Sequence, residues 1–202
     1  QSMPRGGSGG VGRGQPAAEA DARGDHDGVR RGGDQLPGAG QQGLVVHVRD
    51  GGQGCGHRHL GAVPFDKDAS AHPLIVVDDP HSTRAEAFRS LRTNLQFVDA
   101  TKHPRVITVT SSLPGEGKTT TTANLALTLA ESGASVCLIE GDLRRPRLLS
   151  YMGLEGGVGL TDVLIGRVAV RDVVQRFGER RLMVLGSGAT PPNPSELLGS
   201  EP

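Results

Sequence analysis

The segment Ser112-Leu-Pro-Gly-Glu-Gly-Lys-Thr119 restricts this chain more than any other feature. It lies between a β-branched run, Val106-Ile107-Thr108-Val109, and a stretch from Lys118 to Ser132 that is rich in Ala and Leu. A strand is predicted for the first and a helix for the second, with Gly133 as the residue that ends the helix. Ser, Pro and Gly make the intervening loop unable to continue the strand. Gly115 and Gly117 permit the unusual dihedrals and close approach by which backbone N–H groups converge on an anion. Lys118 brings a cation beside them, and Thr119 places a hydroxyl at a helix N-terminus, where a phosphate and its metal ion are favoured. The segment fits the Walker A pattern except that Ser112 stands where the first glycine is usual. Gly115, Glu116, Gly117, Lys118, Thr119 and Thr120 are therefore the candidate nucleotide-binding residues, with Lys118 also the candidate catalytic cation.

Both flanks support that assignment. Ala123, Leu125, Ala126, Leu127, Leu129 and Ala130 make the helix apolar on most sides, as expected for one buried against a sheet. Val136 to Ile139 is a second continuous apolar run, read as a buried strand that includes Cys137. Strand, helix and strand within about 35 residues predict a βαβ unit, parallel pairing and a right-handed crossover. Ligands of open parallel sheets bind beyond the strands' C-terminal ends, where Glu140-Gly141-Asp142 falls. Asp142 is the candidate for holding Mg²⁺ or activating an acceptor hydroxyl, with Glu140 in support. Capping of the following segment is the alternative role for Asp142.

The rest of the chain sets boundaries. Of 31 glycines, 17 fall in the first 60 residues. From Gln1 to about His59 no period of 2 or 3.6 is sustained, and only Leu44 to Val48 forms an apolar island. Residues 1–59 are accordingly expected to be a Gly/Arg-rich leader, disordered or read from another frame, ahead of a partial P-loop domain at 60–202. Leu74 to Val77 reads as a short extended run. Thr83 with Glu86 gives a capping-box signature for a helix whose Phe88, Leu91, Leu95 and Val98 share a face. Beyond Pro146, helices are predicted at Arg147 to Tyr151, Leu160 to Ile165 and Val170 to Phe177. A strand is predicted at Leu182 to Leu185, with another helix beginning near Ser195. Lys plus Arg equals Asp plus Glu at 22 each, and no aromatic run is interleaved with basic residues, so a nucleic-acid partner is not expected. Cys55 and Cys137 offer no disulfide framework, which fits a reducing cytosol. No apolar run approaches the roughly 20 residues that span a bilayer.

Three segments in order resemble the bacterial tyrosine kinase (BY-kinase) family. They are Glu86-Ala-Phe-Arg-Ser-Leu-Arg-Thr-Asn-Leu95, Ser111-Ser-Leu-Pro-Gly-Glu-Gly-Lys-Thr119 and Val136-Cys-Leu-Ile-Glu-Gly-Asp-Leu-Arg-Arg-Pro146, with Pro191-Pro-Asn-Pro-Ser-Glu-Leu-Leu198 as a weaker fourth. The resemblance implies an α/β fold: a P-loop NTPase-like, mostly parallel sheet flanked by helices. It further implies an ATP-dependent protein-tyrosine (auto)kinase that regulates capsular or extracellular polysaccharide synthesis and export. By that resemblance Lys118 and Thr119 bind ATP and Mg²⁺, and Asp142 belongs to the motif the family calls Walker A′. Glu140 replaces the more usual Asp there, which leaves direct metal contact by Glu140 open. Glu86, Arg89 and Arg92 match a helix that joins neighbouring subunits in a ring, although the same residues fit a capped helix with a solvated face. The implied partners are a membrane adaptor or chain-length determinant protein and further copies of the chain, at the inner face of the plasma membrane.

Two family parts are not found: a hydrophobic strand ending in Asp after Leu198, and a C-terminal tyrosine cluster. The chain is therefore expected to be a C-terminally truncated fragment that binds nucleotide weakly at most. A partition-type or cell-division P-loop ATPase is the rival, but its signature lysine position is Leu113 here. A non-catalytic nucleotide-binding adaptor is the other alternative.

Overall fold

The computed structural model describes residues 44–49, 57–98, 106–111 and 114–199. An antiparallel hairpin opens the described chain, pairing β1 (Leu44–Arg49) with β2 (His57–Val63). The expectation of no regular structure through His59 is thus corrected at these strands. The apolar island Leu44 to Val48 is the reason, since opposite a second extended segment its backbone groups satisfy one another. The other residues of 1–59 lie outside the described ones.

A single helical turn, α1 (Ile75–Asp78), replaces the extended run expected at Leu74 to Val77. β-branched side chains lower helix propensity only slightly, and here tertiary contact decides. Val76 is 1% exposed, and its N–H donates to the Asn124 side chain at 3.1 Å. The long helix α2 (Thr83–Val98) follows. Phe88, Leu91 and Leu95 are buried as predicted, while the side chain of Val98 lies outside the described residues. The predicted capping box does not form. Ser82, one residue earlier, accepts the Ala85 N–H on its Oγ at 3.2 Å, and the Glu86 carboxylate instead takes Arg89 Nη1 at 3.2 Å.

Helix α3 (Lys118–Glu131) starts and stops where the sequence predicts. Gly133 has φ +94°. Its N–H donates to Ala130 O at 3.0 Å and that of Ala134 to Leu129 O at 3.2 Å, the paired bonds of a Schellman stop. Ala123, Leu125, Ala126, Leu127 and Ala130 are all buried.

The sheet contains β3 (Val136–Ile139), β4 (Gln175–Arg176) and β5 (Leu182–Leu185) in the order β3-β5-β4. β3 and β5 run parallel, with Val136 opposite Leu182 and Ile139 opposite Leu185, and β4 is antiparallel to β5. Three sequence expectations change here. Residues 106–110 join no ladder among the described residues, and Val106 is 83% exposed. A β-branched run supplies propensity, but a strand also needs a paired neighbour. The parallel crossover therefore links β3 to β5 rather than residues 106–109 to β3. Cys137 and Ile139 are exposed rather than buried, because α3 covers only the face that carries Leu138, Leu182 and Val184.

The short helices α4 (Leu148–Met152), α5 (Leu160–Leu164) and α6 (Val170–Val173) complete the unit, with α7 (Pro194–Gly199) last. The helix expected from Val170 to Phe177 ends at Val173, because Gln175 and Arg176 turn outward to pair with Val184 and Met183.

Candidate functional site

The loop before α3 carries the conformations its glycines permit. Gly115 has φ +80° and Gly117 φ +89°, both in the left-handed region that favours glycine. Gly117 caps the helix, and its carbonyl accepts the Thr121 N–H at 2.8 Å. Ser112 and Leu113 lie outside the described residues, so the departure from the Walker A pattern at Ser112 has no structural account. Lys118 and Thr119 open α3, with Thr120 in the same first turn; all three side chains are half-buried.

The end of β3 meets this loop. Lys118 Nζ lies 3.9 Å from Asp142 Oδ2. The two candidate site residues are thus brought together across 24 positions of sequence. Asp142 Oδ1 accepts the N–H groups of Arg144 at 3.3 Å and Arg145 at 3.0 Å. One oxygen therefore holds the turn, while the other faces the lysine; the helix that follows, α4, is capped at Arg147 and not by Asp142. A half-exposed ion pair of this length contributes little to folding. Its consequence is chemical, since an ammonium and a carboxylate stand side by side at a helix N-terminus.

Glu140 is placed differently. It is 6% exposed, and its Oε1 accepts the N–H groups of Arg147 at 2.6 Å and Leu148 at 2.8 Å, at the start of α4. Burial pushes its carboxyl above the usual carboxylate range, against the opposing pull of backbone N–H donors from Leu148 and Arg147. Its side chain is committed to the backbone of the loop.

The donor set fits a hard cation in part. Asp142 supplies a carboxylate oxygen and Thr119 a hydroxyl, both of the oxygen type that Mg²⁺ selects. Among the described residues no group of three or more His, Cys, Asp or Glu side chains could hold a metal. Mg²⁺ would therefore be shared between these residues, water and phosphate oxygens, as is usual for this ion.

The proposed oligomer residues are held within the chain. Glu86 and Arg89 pair with each other, and Arg89 Nη2 also donates to Pro80 O at 2.6 Å. Arg92 is turned inward, with Nη1 3.5 Å from Thr128 O.

Sequence reasoning missed Asn124. It is fully buried in α3, where Nδ2 donates to Pro73 O at 2.7 Å and Thr120 O at 2.8 Å. It thereby ties the first turn of α3 to the segment before α1. The available signal was an amide on an otherwise apolar helix surface, which has to be hydrogen-bonded if it is buried. Arg144 was also missed; its Nη2 lies 3.2 Å from Ser195 Oγ, which brings α7 to the Asp142 loop.

No family model matches the chain. It is 43% identical over 128 residues to the tyrosine-protein kinase YwqD of Bacillus subtilis, an alignment covering 63% of this chain and 54% of that protein. It is 36% identical over 126 residues to the tyrosine-protein kinase etk of Escherichia coli K12, covering 62% of this chain and 17% of the relative. Among solved structures, the kinase domain of Escherichia coli tyrosine kinase ETK superposes with a TM-score of 0.63 at 31% identity, covering 67% of this chain and 58% of that one. The BceF tyrosine kinase domain gives 0.62 at 35% identity, covering 70% and 61%. The chain thus spans little more than half of YwqD and a much smaller part of etk.

Proposed function

Because this chain belongs to the bacterial tyrosine kinase family, we propose that its P-loop half binds ATP and presents the γ-phosphate for transfer to a tyrosine hydroxyl. The observation that carries this is the meeting of Lys118 with Asp142 at the mouth of α3, 3.9 Å apart, behind two left-handed glycines. In the transfer, the bond from the γ-phosphorus to the bridging oxygen of ADP breaks, a bond to the tyrosine oxygen forms, and the phenolic proton passes to water. Such transfer relies on positioning and on electrostatic stabilisation of the phosphoryl oxygens. Backbone N–H groups of the segment from Gly115 to Thr120, that of Glu116 included, cradle the phosphates. Lys118 leaves Asp142 for the β- and γ-phosphate oxygens, and Asp142 and Thr119 would hold Mg²⁺. When bound, that ion neutralises charge on the same oxygens.

The sequence has one tyrosine, Tyr151, which is half-buried in α4. We assign the acceptor tyrosine to another molecule. The family resemblance supports control of capsular or extracellular polysaccharide synthesis, a membrane adaptor as partner and a homo-oligomer that uses Glu86, Arg89 and Arg92. Among the described residues no helix is long and apolar enough to cross a membrane. The resemblance also supports placement at the inner face of the plasma membrane, through such a partner or through a membrane segment outside this sequence.

The test is phosphotyrosine formation from Mg·ATP, read by mass spectrometry with a tyrosine-containing acceptor polymer present. Product that disappears in Lys118→Ala and Asp142→Asn supports the kinase reading. Lys118-dependent nucleotide binding without transfer would replace it with the non-catalytic nucleotide-binding reading.

A further inference from the structure

Resting on the nucleotide site proposed above, we propose that Glu140 is a positioning residue: its carboxylate sets the loop that carries Asp142 and is not a ligand to the cation. Loop 141–146 is tied at both ends. At its start the Glu140 N–H donates to Leu185 O at 2.9 Å, fixing the strand end to β5. At its finish Glu140 Oε1 accepts both the Arg147 and Leu148 N–H groups. One side chain therefore joins the end of β3 to the start of α4.

Asp142 stands inside this closed loop. Its Oδ1 is occupied by Arg144 and Arg145, which leaves Oδ2 toward Lys118. Turning Glu140 toward a cation would strip an acceptor from two N–H groups, that of Leu148 buried and that of Arg147 partly so, and each loss is costly. An aspartate at this position is shorter by one carbon–carbon bond, about 1.5 Å. It would fall short of the same N–H groups, so the extra methylene matches the span across the loop.

The two roles predict opposite orders for two conservative variants. The measurement is the gain in ADP affinity on adding Mg²⁺, by calorimetry on the full chain, with metal-free ADP affinity and the urea midpoint as controls. A positioning Glu140 predicts that Glu140→Gln, which keeps length and an acceptor oxygen, retains the Mg²⁺ gain to within about threefold. It predicts that Glu140→Asp, although still a carboxylate, loses about tenfold of the gain, the scale of one charge-assisted hydrogen bond. Backbone amide exchange at Arg147 and Leu148 should quicken in the Asp variant and stay slow in the Gln variant. The reverse order, with Gln losing the gain and Asp keeping it, overturns the proposal in favour of a metal ligand. An unchanged gain in both variants overturns it too. If the parent chain shows no Lys118-dependent ADP binding, the nucleotide reading fails separately. Amide exchange then decides: unaltered exchange in Glu140→Asp refutes the loop role, and quickened exchange upholds it.

Discussion

Replacing Asn124 by alanine should destabilise the fold by about 3 kcal/mol. Two tertiary hydrogen bonds disappear, Val76 N–H to Oδ1 at 3.1 Å and Nδ2 to Pro73 O at 2.7 Å. Each contributes a net of about 1 kcal/mol. The Val76 N–H, in a residue 1% exposed, is then left without an acceptor, which adds about 1 kcal/mol or more. With a urea slope of about 1.5 kcal/mol/M, typical of a small domain, the unfolding midpoint should fall by about 2 M. Asn124→Asp separates geometry from mere volume. It retains an acceptor for Val76 but sets a carboxylate oxygen against the carbonyls of Pro73 and Thr120, so it should be at least as destabilising at neutral pH. Its deficit should shrink in acid, where a protonated carboxyl can donate. Equilibrium urea unfolding followed by circular dichroism at two pH values measures both effects. A loss below about 0.5 kcal/mol in Asn124→Ala, the range of an inert surface change, would refute the tether.

Three further outcomes follow from the packing and the charges. A Cβ on Gly159 would sit 2.4 Å from Gly186 O and from Gly188 N, both backbone atoms, whereas one on Gly156 meets the end of the Leu149 side chain at 2.6 Å. Gly159→Ala should therefore cost about 1–3 kcal/mol in urea unfolding, while Gly156→Ala stays within about 0.5 kcal/mol. Gly117→Ala meets nothing closer than Thr121 Oγ1 at 4.0 Å, so its cost of about 1 kcal/mol is that of holding alanine at φ +89°. It should appear in thermal unfolding and also as weakened ADP binding. For Glu140, burial raises the folded-state carboxyl above its unfolded value of 4.5, so on acidification the folded chain takes up this proton before the unfolded chain does. Its contribution is fully present below pH 4.5 and is lost as pH rises through the folded value. The urea midpoint of Glu140→Gln should lack that decline, and parallel pH profiles for the two proteins would contradict it.

The parts legible in the sequence are those fixed by local chemistry. Gly117 and Gly133 bound α3 because only glycine tolerates their positive φ cheaply, and the Ala/Leu face between them is buried as its spacing demands. Asp142 was legible from its place after an apolar strand. What escaped depended on partners distant in sequence. The run at 106–109 has the composition of a strand but no neighbour in the described sheet, and Leu74 to Val77 coils because Asn124 holds it from 48 positions away. Glu140 and Asp142 read alike as carboxylates at a strand end. Only the position of the Arg147 and Leu148 N–H groups separates a loop-setting side chain from one that faces the lysine. The capping box at Thr83 failed for a smaller reason: Ser82, one residue earlier, reaches the same open helix turn.

The central claim is that the loop before α3, with Lys118 and Asp142, is a nucleotide-phosphate site. Calorimetric titration of the chain with ADP and Mg²⁺ tests it most directly. Saturable binding that weakens by at least about tenfold in Lys118→Ala, as expected for loss of a charge-assisted contact, and that loses its Mg²⁺ gain in Asp142→Asn is the predicted result. Absence of binding by the folded parent chain, or binding indifferent to both substitutions, would contradict it.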